Sequence, residues 1–266
     1  MRVLYTIAAV IAWTLGAATA RADGLLYQLP KDGTWAKYDA AFSIEHDQMG
    51  KTMLGKGSLR MASVGQVTEE GQPCRWIEVA VEMRSEARED LKIPEGEYKE
   101  VWKVLVPEKY LAKGETPLNH AIRAWMADFA RDAPKKPSGP DTVPKARQWL
   151  DVEKLREGPL PMALAGPPKG VSKLDKAEVE SKLGKLTCEG VRGVLEFNDP
   201  IAMIRSTTTI ETRLHAKAPF GVVSSRWTIE ETWKAETKPD HGMKMVWDFK
   251  LVDLGDGAKS ELPDAK

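Results

Sequence analysis

The chain reads as a mainly β (α+β) protein: a strongly curved antiparallel sheet or half-open barrel of about eight strands with a packed amphipathic helix. Three observations predict it. Apolar residues alternate at period two in two separate blocks. Turn signals divide each block at hairpin-like spacing. One stripe of helical period lies between the blocks.

The first 22 residues come before any strand. Arg2 is followed by an apolar run from Val3 to Ala18 and by Ala20-Arg21-Ala22. This is the three-part build of a secretory signal peptide cleaved after Ala22. The run is shorter than the roughly 20 residues a spanning helix needs, and no longer one follows. The expectation is an exported protein, periplasmic or extracellular, with no transmembrane segment in its mature chain. It would have one β-rich domain at 23–255, a Pro-rich connection at 132–182 and a disordered tail at 256–266. Arg2 and Arg21 are the only charges in the signal, so 37 of the 39 basic residues remain against 39 acidic ones. That balance argues against a nucleic-acid partner and against electrostatic docking on anionic lipid.

In the first block, Ala40, Phe42 and Ile44 alternate with Ala41, Ser43 and Glu45. The stretch from Met53 to Val64 turns Leu59 and Met61 inward, and Gly55 and Gly57 suit a bulge or a sharp bend. After the Glu70-Gly71-Gln72-Pro73 turn, Ile77, Val79, Val81 and Met83 line one face, with Glu78 and Glu82 on the other. A fourth strand carries Trp102, Val104 and Val106 on one side.

The helix comes next. Leu118, Ala121, Ile122, Trp125, Met126 and Phe129 form a continuous stripe, with Thr116 as N-cap and Pro117 at the first helical position. Prolines from Pro134 to Pro168 then break up regular structure, with room for short helices near Lys145–Glu157 and Lys173–Leu183. The second block begins at Leu186–Phe197, alternating through Cys188. Ile204–Leu214 follows with Ile210 and Leu214 inward. Next come Val223, Trp227, Ile229 and Trp233 on one face, and finally Met243, Met245, Trp247, Phe249 and Leu251.

Cys74 and Cys188 leave two readings open. Either they join in a disulfide, whose long loop is worth roughly 4 to 5 kcal/mol in the chain-entropy picture, or both are buried apolar residues on separate strands. No CxxC occurs, so no metal site is expected.

Catalytic patterns are absent: no GxSxG, no HExxH and no glycine-rich phosphate loop. His46, His120, His215 and His241 are scattered at strand ends, a helix face and a turn. Glu230 and Glu231 are neighbours in one strand, so they face opposite ways and cannot share a proton. Neither catalysis nor a cofactor is expected.

What stands out is the supply of large apolar side chains, nine tryptophans and ten methionines. Trp102, Trp125, Trp227, Trp233, Met243, Met245 and Trp247 are the candidates to line an apolar cavity, with methionine giving adaptable walls. The alternative is that they only pack against the helix.

Two stretches carry a resemblance. Ala41-Phe42-Ser43-Ile44-Glu45 followed by Gly55-Lys56-Gly57-Ser58-Leu59-Arg60-Met61 resembles the opening hairpin of the periplasmic lipoprotein-carrier proteins. Ala218-Pro219-Phe220-Gly221-Val222-Val223 resembles that group's late turn and strand. The chain is also similar to exported bacterial proteins with no assigned activity. The carrier resemblance implies an incomplete β-barrel around an apolar cavity, plugged by helices. The expected function is therefore non-catalytic binding of a lipid or other apolar or amphiphilic small molecule in the cell envelope. A structural or protein-interaction module of an envelope assembly, and a hydrolase without a recognisable motif, are the alternatives.

Overall fold

The structure, a computed structural model, describes residues 25–46, 50–85, 95–111, 117–128, 147–149, 171–199, 204–233 and 241–262. The first 24 residues, with the expected signal peptide, lie outside these residues, as do Thr116, Phe129 and most of residues 132–182.

Eleven strands are described: β1 (Trp35–His46), β2 (Gly50–Glu69), β3 (Gln72–Ser85), β4 (Gly96–Pro107), β5 (Arg123–Asp128), β6 (Arg147–Trp149), β7 (Ser172–Ser181), β8 (Gly184–Asp199), β9 (Ile204–Leu214), β10 (Val222–Trp233) and β11 (His241–Gly255). They form one sheet in the order β6-β5-β4-β3-β2-β1-β11-β10-β9-β8-β7. Every pairing is antiparallel. Two meanders are thus joined where β1 pairs with β11, from Trp35 opposite Gly255 to His46 opposite Met243.

The sheet is strongly curved. One apolar core runs along the inner face from Trp102 and Val104 of β4 to Leu186 and Cys188 of β8. Edge strand β7 comes back against β10 and β11, three and four steps away in the sheet, about 14 and 19 Å if the sheet were flat. Only curling brings them together. Gly57 shows how tight the curl is, since a Cβ there would run into the Glu82 carbonyl and stand 2.8 Å from Met83 Cα. A register shift between Phe42 and Ser43 marks a bulge on the adjoining β1–β2 pair. The inward residues expected on β1 to β4 and on β8 to β11 fill this core: Ala40, Leu59, Met61, Ile77, Val79, Trp102, Val104, Ile210, Trp227 and Phe249 among them.

The expected helix is not there. Pro117–His120 is one 3-10 turn, and Arg123–Asp128 is β5, paired with β4. Ala124 and Met126 face the main core, whereas Trp125 and Ala127 pack on the opposite side with Ala80, Val101 and Leu262. A strand that buries both faces loses its polar alternation, and its apolar residues then match a helical stripe by chance. Lys173–Leu183, expected as a short helix, falls largely in edge strand β7, and Arg147–Trp149, within the other expected helix, is β6.

A different segment fills the place given to the helix. Leu25, Leu26 and Tyr27 are buried in the main core. The Tyr27 N–H donates to the Phe220 carbonyl at 2.7 Å, and Gln28 Nε2 donates to the Ala218 carbonyl at 2.6 Å. This closes the end of the sheet that carries the 70–71 and 215–221 turns, here called the lower end. Arg75 fastens it further. Its guanidinium donates to the Pro30 carbonyl at 3.0 Å and to Ser63 Oγ at 3.1 Å, and pairs with Glu108 at 2.5 Å.

The polar end of the chain, expected to be disordered, is held down as far as Leu262. Ser260 Oγ and the Glu261 N–H donate to the Glu78 carboxylate at 2.6 and 3.0 Å. Lys99 Nζ pairs with Glu261 at 2.9 Å. Leu262 packs on Ala80, Val101 and Ala127. The tail covers the outer face of β3 to β5, where the alternation is apolar on both sides.

Two stability outcomes follow. Gly57→Ala lowers unfolding free energy by about 2 kcal/mol or more in urea melts, because the β2–β3 approach leaves no room for a methyl group. Arg75→Met costs about 3 to 5 kcal/mol by the same measurement, because it strands the Glu108 carboxylate and two neutral acceptors at the buried lower end.

Candidate functional site

The inner face changes character from one end to the other. At the lower end Tyr38, Met61, Phe220 and Leu251 are fully buried. At the upper end Phe42, Ile44 and Met245 form a second cluster, and Met83, Ile229, Met243 and Trp247 against it are only partly covered. Phe42 stacks on Trp247 with ring centroids 4.3 Å apart. Trp247 runs parallel to Phe249 at 6.2 Å, and Phe249 meets the edge of Trp227 at 6.4 Å. The arrangement follows from the period-two apolar face of β11 lying between those of β1 and β10.

Two polar groupings interrupt this surface. Ser225 on β10 and Thr212 on β9 are buried and bond each other at 3.0 Å, and the Trp227 indole N–H donates to Ser225 Oγ at 2.9 Å. That grouping is closed. Glu231 has the same inward parity on β10, opposite Ser206 of β9 and Met243 of β11. It is 1% exposed, and neither carboxylate oxygen has a hydrogen-bond partner among the described residues. Burial away from water pushes its pKa from the ordinary 4.5 up to about 7. Its neighbour Glu230 faces outward and pairs with Lys244 at 3.3 Å.

The structure separates the residues picked from the sequence. Trp102 and Trp227 lie in the main core, and Trp247 bridges it to the upper cluster, where Met243 and Met245 sit. Trp125 is on the outer face, because its helix is a strand. The backbone of Trp233 closes β10, but its side chain lies outside the described residues. Cys74 and Cys188 are free thiols on β3 and β8, buried as small apolar residues, and burial raises both thiols above their ordinary value. His46 and His215 belong to opposite ends. His46 is in the register row of Met243 and Glu231, whereas His215 follows β9 at the lower turn. Glu231 was missed, although its parity with Trp227 and Ile229 was readable.

One outer groove of about 570 Å³ lies beside β2 to β4 and the tail, lined by Lys56, Glu82, Arg84, Lys99 and Glu261. Lys99 bridges Glu82 and Glu261 there, and Arg84 pairs with Glu95. Its charges are largely used within the fold.

Solved structures share this fold only loosely. No family model matches the chain, and no curated protein matches it. A candidate lipoprotein from Parabacteroides distasonis is 9% identical, covering 88% of this chain and 99% of its own, at a TM-score of 0.32. A candidate exported protein with a YmcC-like fold from Bacteroides fragilis is 7% identical at 0.29, covering 87% and 99%. A LolA superfamily protein from Nitrosomonas europaea is 10% identical at 0.26, covering 95% and 94%. At these scores fold and site rest on this chain's own geometry.

The Glu231 environment has a pH signature. Folded Glu231 holds its proton up to about pH 7, while the unfolded chain releases it near 4.5, so stability is greatest below 4.5 and declines as pH rises through 7. Glu231→Gln is expected to gain about 1 to 3 kcal/mol over the wild type at pH 8 and almost nothing at pH 4, by urea unfolding at both values. An equal difference at both pH values would show that the carboxyl does not titrate this way.

Proposed function

We propose that the chain is an exported protein that binds, without catalysis, an apolar or amphiphilic molecule at the upper end of its curled sheet, in the cell envelope. The incompletely covered Phe42–Trp247 stack with Met83, Met243 and Ile229 around it supports this. An apolar surface on the inner face of a curled sheet is a place where an acyl chain gains burial without unfolding anything. The closed lower end confines the site. Tyr38, Phe220 and Leu25 occupy the interior there, so the ligand lies near the rim and not deep in a hollow.

Among the described residues no three His, Cys, Asp or Glu gather as metal ligands. Among the described residues Glu231 has no acid or base opposite it on β9 or β11, which gives the hydrolase reading no support. A module joined through its sheet edge finds little support at β7. That edge carries Lys173, Asp175, Lys176, Glu178 and Glu180, and charges of this kind discourage strand addition.

Each methylene buried on the rim stabilises the complex by about 0.8 kcal/mol, so affinity for straight-chain alcohols is expected to rise about three- to fourfold per added carbon. Tryptophan fluorescence titration with octanol, decanol and dodecanol measures it, and native mass spectrometry after gentle purification tests for co-purified lipid. Trp247→Ala is expected to weaken dodecanol binding by about tenfold. Absence of binding by all three alcohols rejects this function.

A further inference from the structure

Glu231 is the group on the inner face that the fold leaves unused. The polar residues lower on the same strands, Thr212 and Ser225, satisfy each other, but both Glu231 oxygens are buried with no partner. A buried carboxylate is expensive unless a cation or several donors meet it. The described side chains facing it do not supply one. On β9 these are Ser206 and Thr208, and on β11 they are Met243 and Met245. The cations Arg205 and Lys244 belong to the outward parity, and Lys244 is paired with Glu230. The one titratable residue in the same register row on β1 is His46, two strands away.

We infer that Glu231 is the polar anchor of the upper site and selects amphiphiles whose apolar chain ends in an ammonium group. This rests on the binding reading above. The apolar chain lies against the Phe42, Trp247 and Met243 surface, and the head supplies the positive charge that the described side chains facing Glu231 do not. An acid head would bring like charge to the same place, and an alcohol head would add only a neutral hydrogen bond.

The site then has a pH dependence. An ammonium amphiphile binds the ionised form of Glu231, which forms as pH rises through about 7. A ligand specific for that form tightens by at least about tenfold between pH 5.5 and 8.5, toward a ceiling of about 30-fold.

The test uses the folded mature chain with three probes of equal length: dodecyltrimethylammonium, dodecanol and dodecanoate. Tryptophan fluorescence is titrated at pH 5.5 and 8.5 for the wild type, Glu231→Gln and His46→Gln. The expected result is an ammonium affinity that rises with pH in the wild type and in His46→Gln but is flat in Glu231→Gln. Dodecanol should bind all three proteins alike, which also shows that the variants are folded. The anchor role is overturned if dodecanol binds but the ammonium series is flat in the wild type, if the rise survives in Glu231→Gln or is lost in His46→Gln, or if dodecanoate binds as tightly as the ammonium at pH 8.5. Failure of dodecanol itself to bind overturns the binding reading and the anchor with it. The wild-type pH series decides the matter even if Glu231→Gln does not fold.

Discussion

A single sheet with no second layer must cover its own apolar face, and everything else in this protein follows from that constraint. Eleven strands give enough width for the edge strand β7 to curl back against β10 and β11. The curl this demands leaves no room for a Cβ at Gly57. Curling buries the middle of the face well and its ends poorly. The lower end is closed by Leu25, Leu26 and Tyr27, which add a short extended segment across the opening, and by Arg75, which ties that segment to β2 and the end of β4. The upper end has no comparable cover among the described residues, and there the aromatic and methionine side chains are only partly buried.

The outer face meets the same constraint with a different solution. Where β3, β4 and β5 are apolar on both sides, Ala80, Val101, Ala127 and Trp125 would otherwise meet water. The tail lays Leu262 over them. Its backbone N–H groups have no strand to pair with, and Glu78 accepts two of them together with the Ser260 hydroxyl. A carboxylate inside a strand is usually a solvated outer residue; here it is 1% exposed and works as a clasp. Arg60 approaches Glu78 at 3.9 Å and Glu261 at 3.6 Å, and with Lys99 it supplies the positive charge of this cluster.

Most of the strands that were legible in the sequence have one wet face. β1, β2 and β8 to β11 alternate cleanly because water selects polar residues at every second position, whereas β3 and β4 were legible through their inner stripe of Ile77, Val79, Trp102 and Val104 although part of their outer faces is buried too. β5 failed for the opposite reason, since the main core takes Ala124 and Met126 while the tail cluster takes Trp125 and Ala127. Alternation disappears when both faces are dry, and a stripe from Leu118 to Phe129 is then indistinguishable from a helix. β7 is an edge strand with charges on both faces, so it offered no period at all. Of the apolar site candidates on β10 and β11, Trp227, Met243, Met245 and Trp247 lie on the inner face that their parity indicates, while the Trp233 side chain lies outside the described residues. The same parity marks Glu231 as inward, two residues past Ile229. Reading Glu230 and Glu231 as a pair, and asking only whether they share a proton, hid the more telling fact that one of them must point into the apolar side.

The contrast within β10 shows that this carboxyl is no accident of packing. At Ser225 the fold admits an inward polar atom and satisfies it from Thr212 and the Trp227 indole. Six residues further on, with the same strands on either side, it admits a larger polar group and gives it nothing. A neutral side chain of similar size would spare the folded state the cost of ionising there. Stability therefore does not account for Glu231, and among the described residues no internal hydrogen-bond network uses it. Departures of this kind from local consistency belong to places where a protein does something other than fold. Here the departure falls at the end of the sheet where apolar side chains are also left incompletely covered, so the polar and apolar exceptions coincide on one surface. A ligand that ends in a cation and trails an apolar chain resolves both at once.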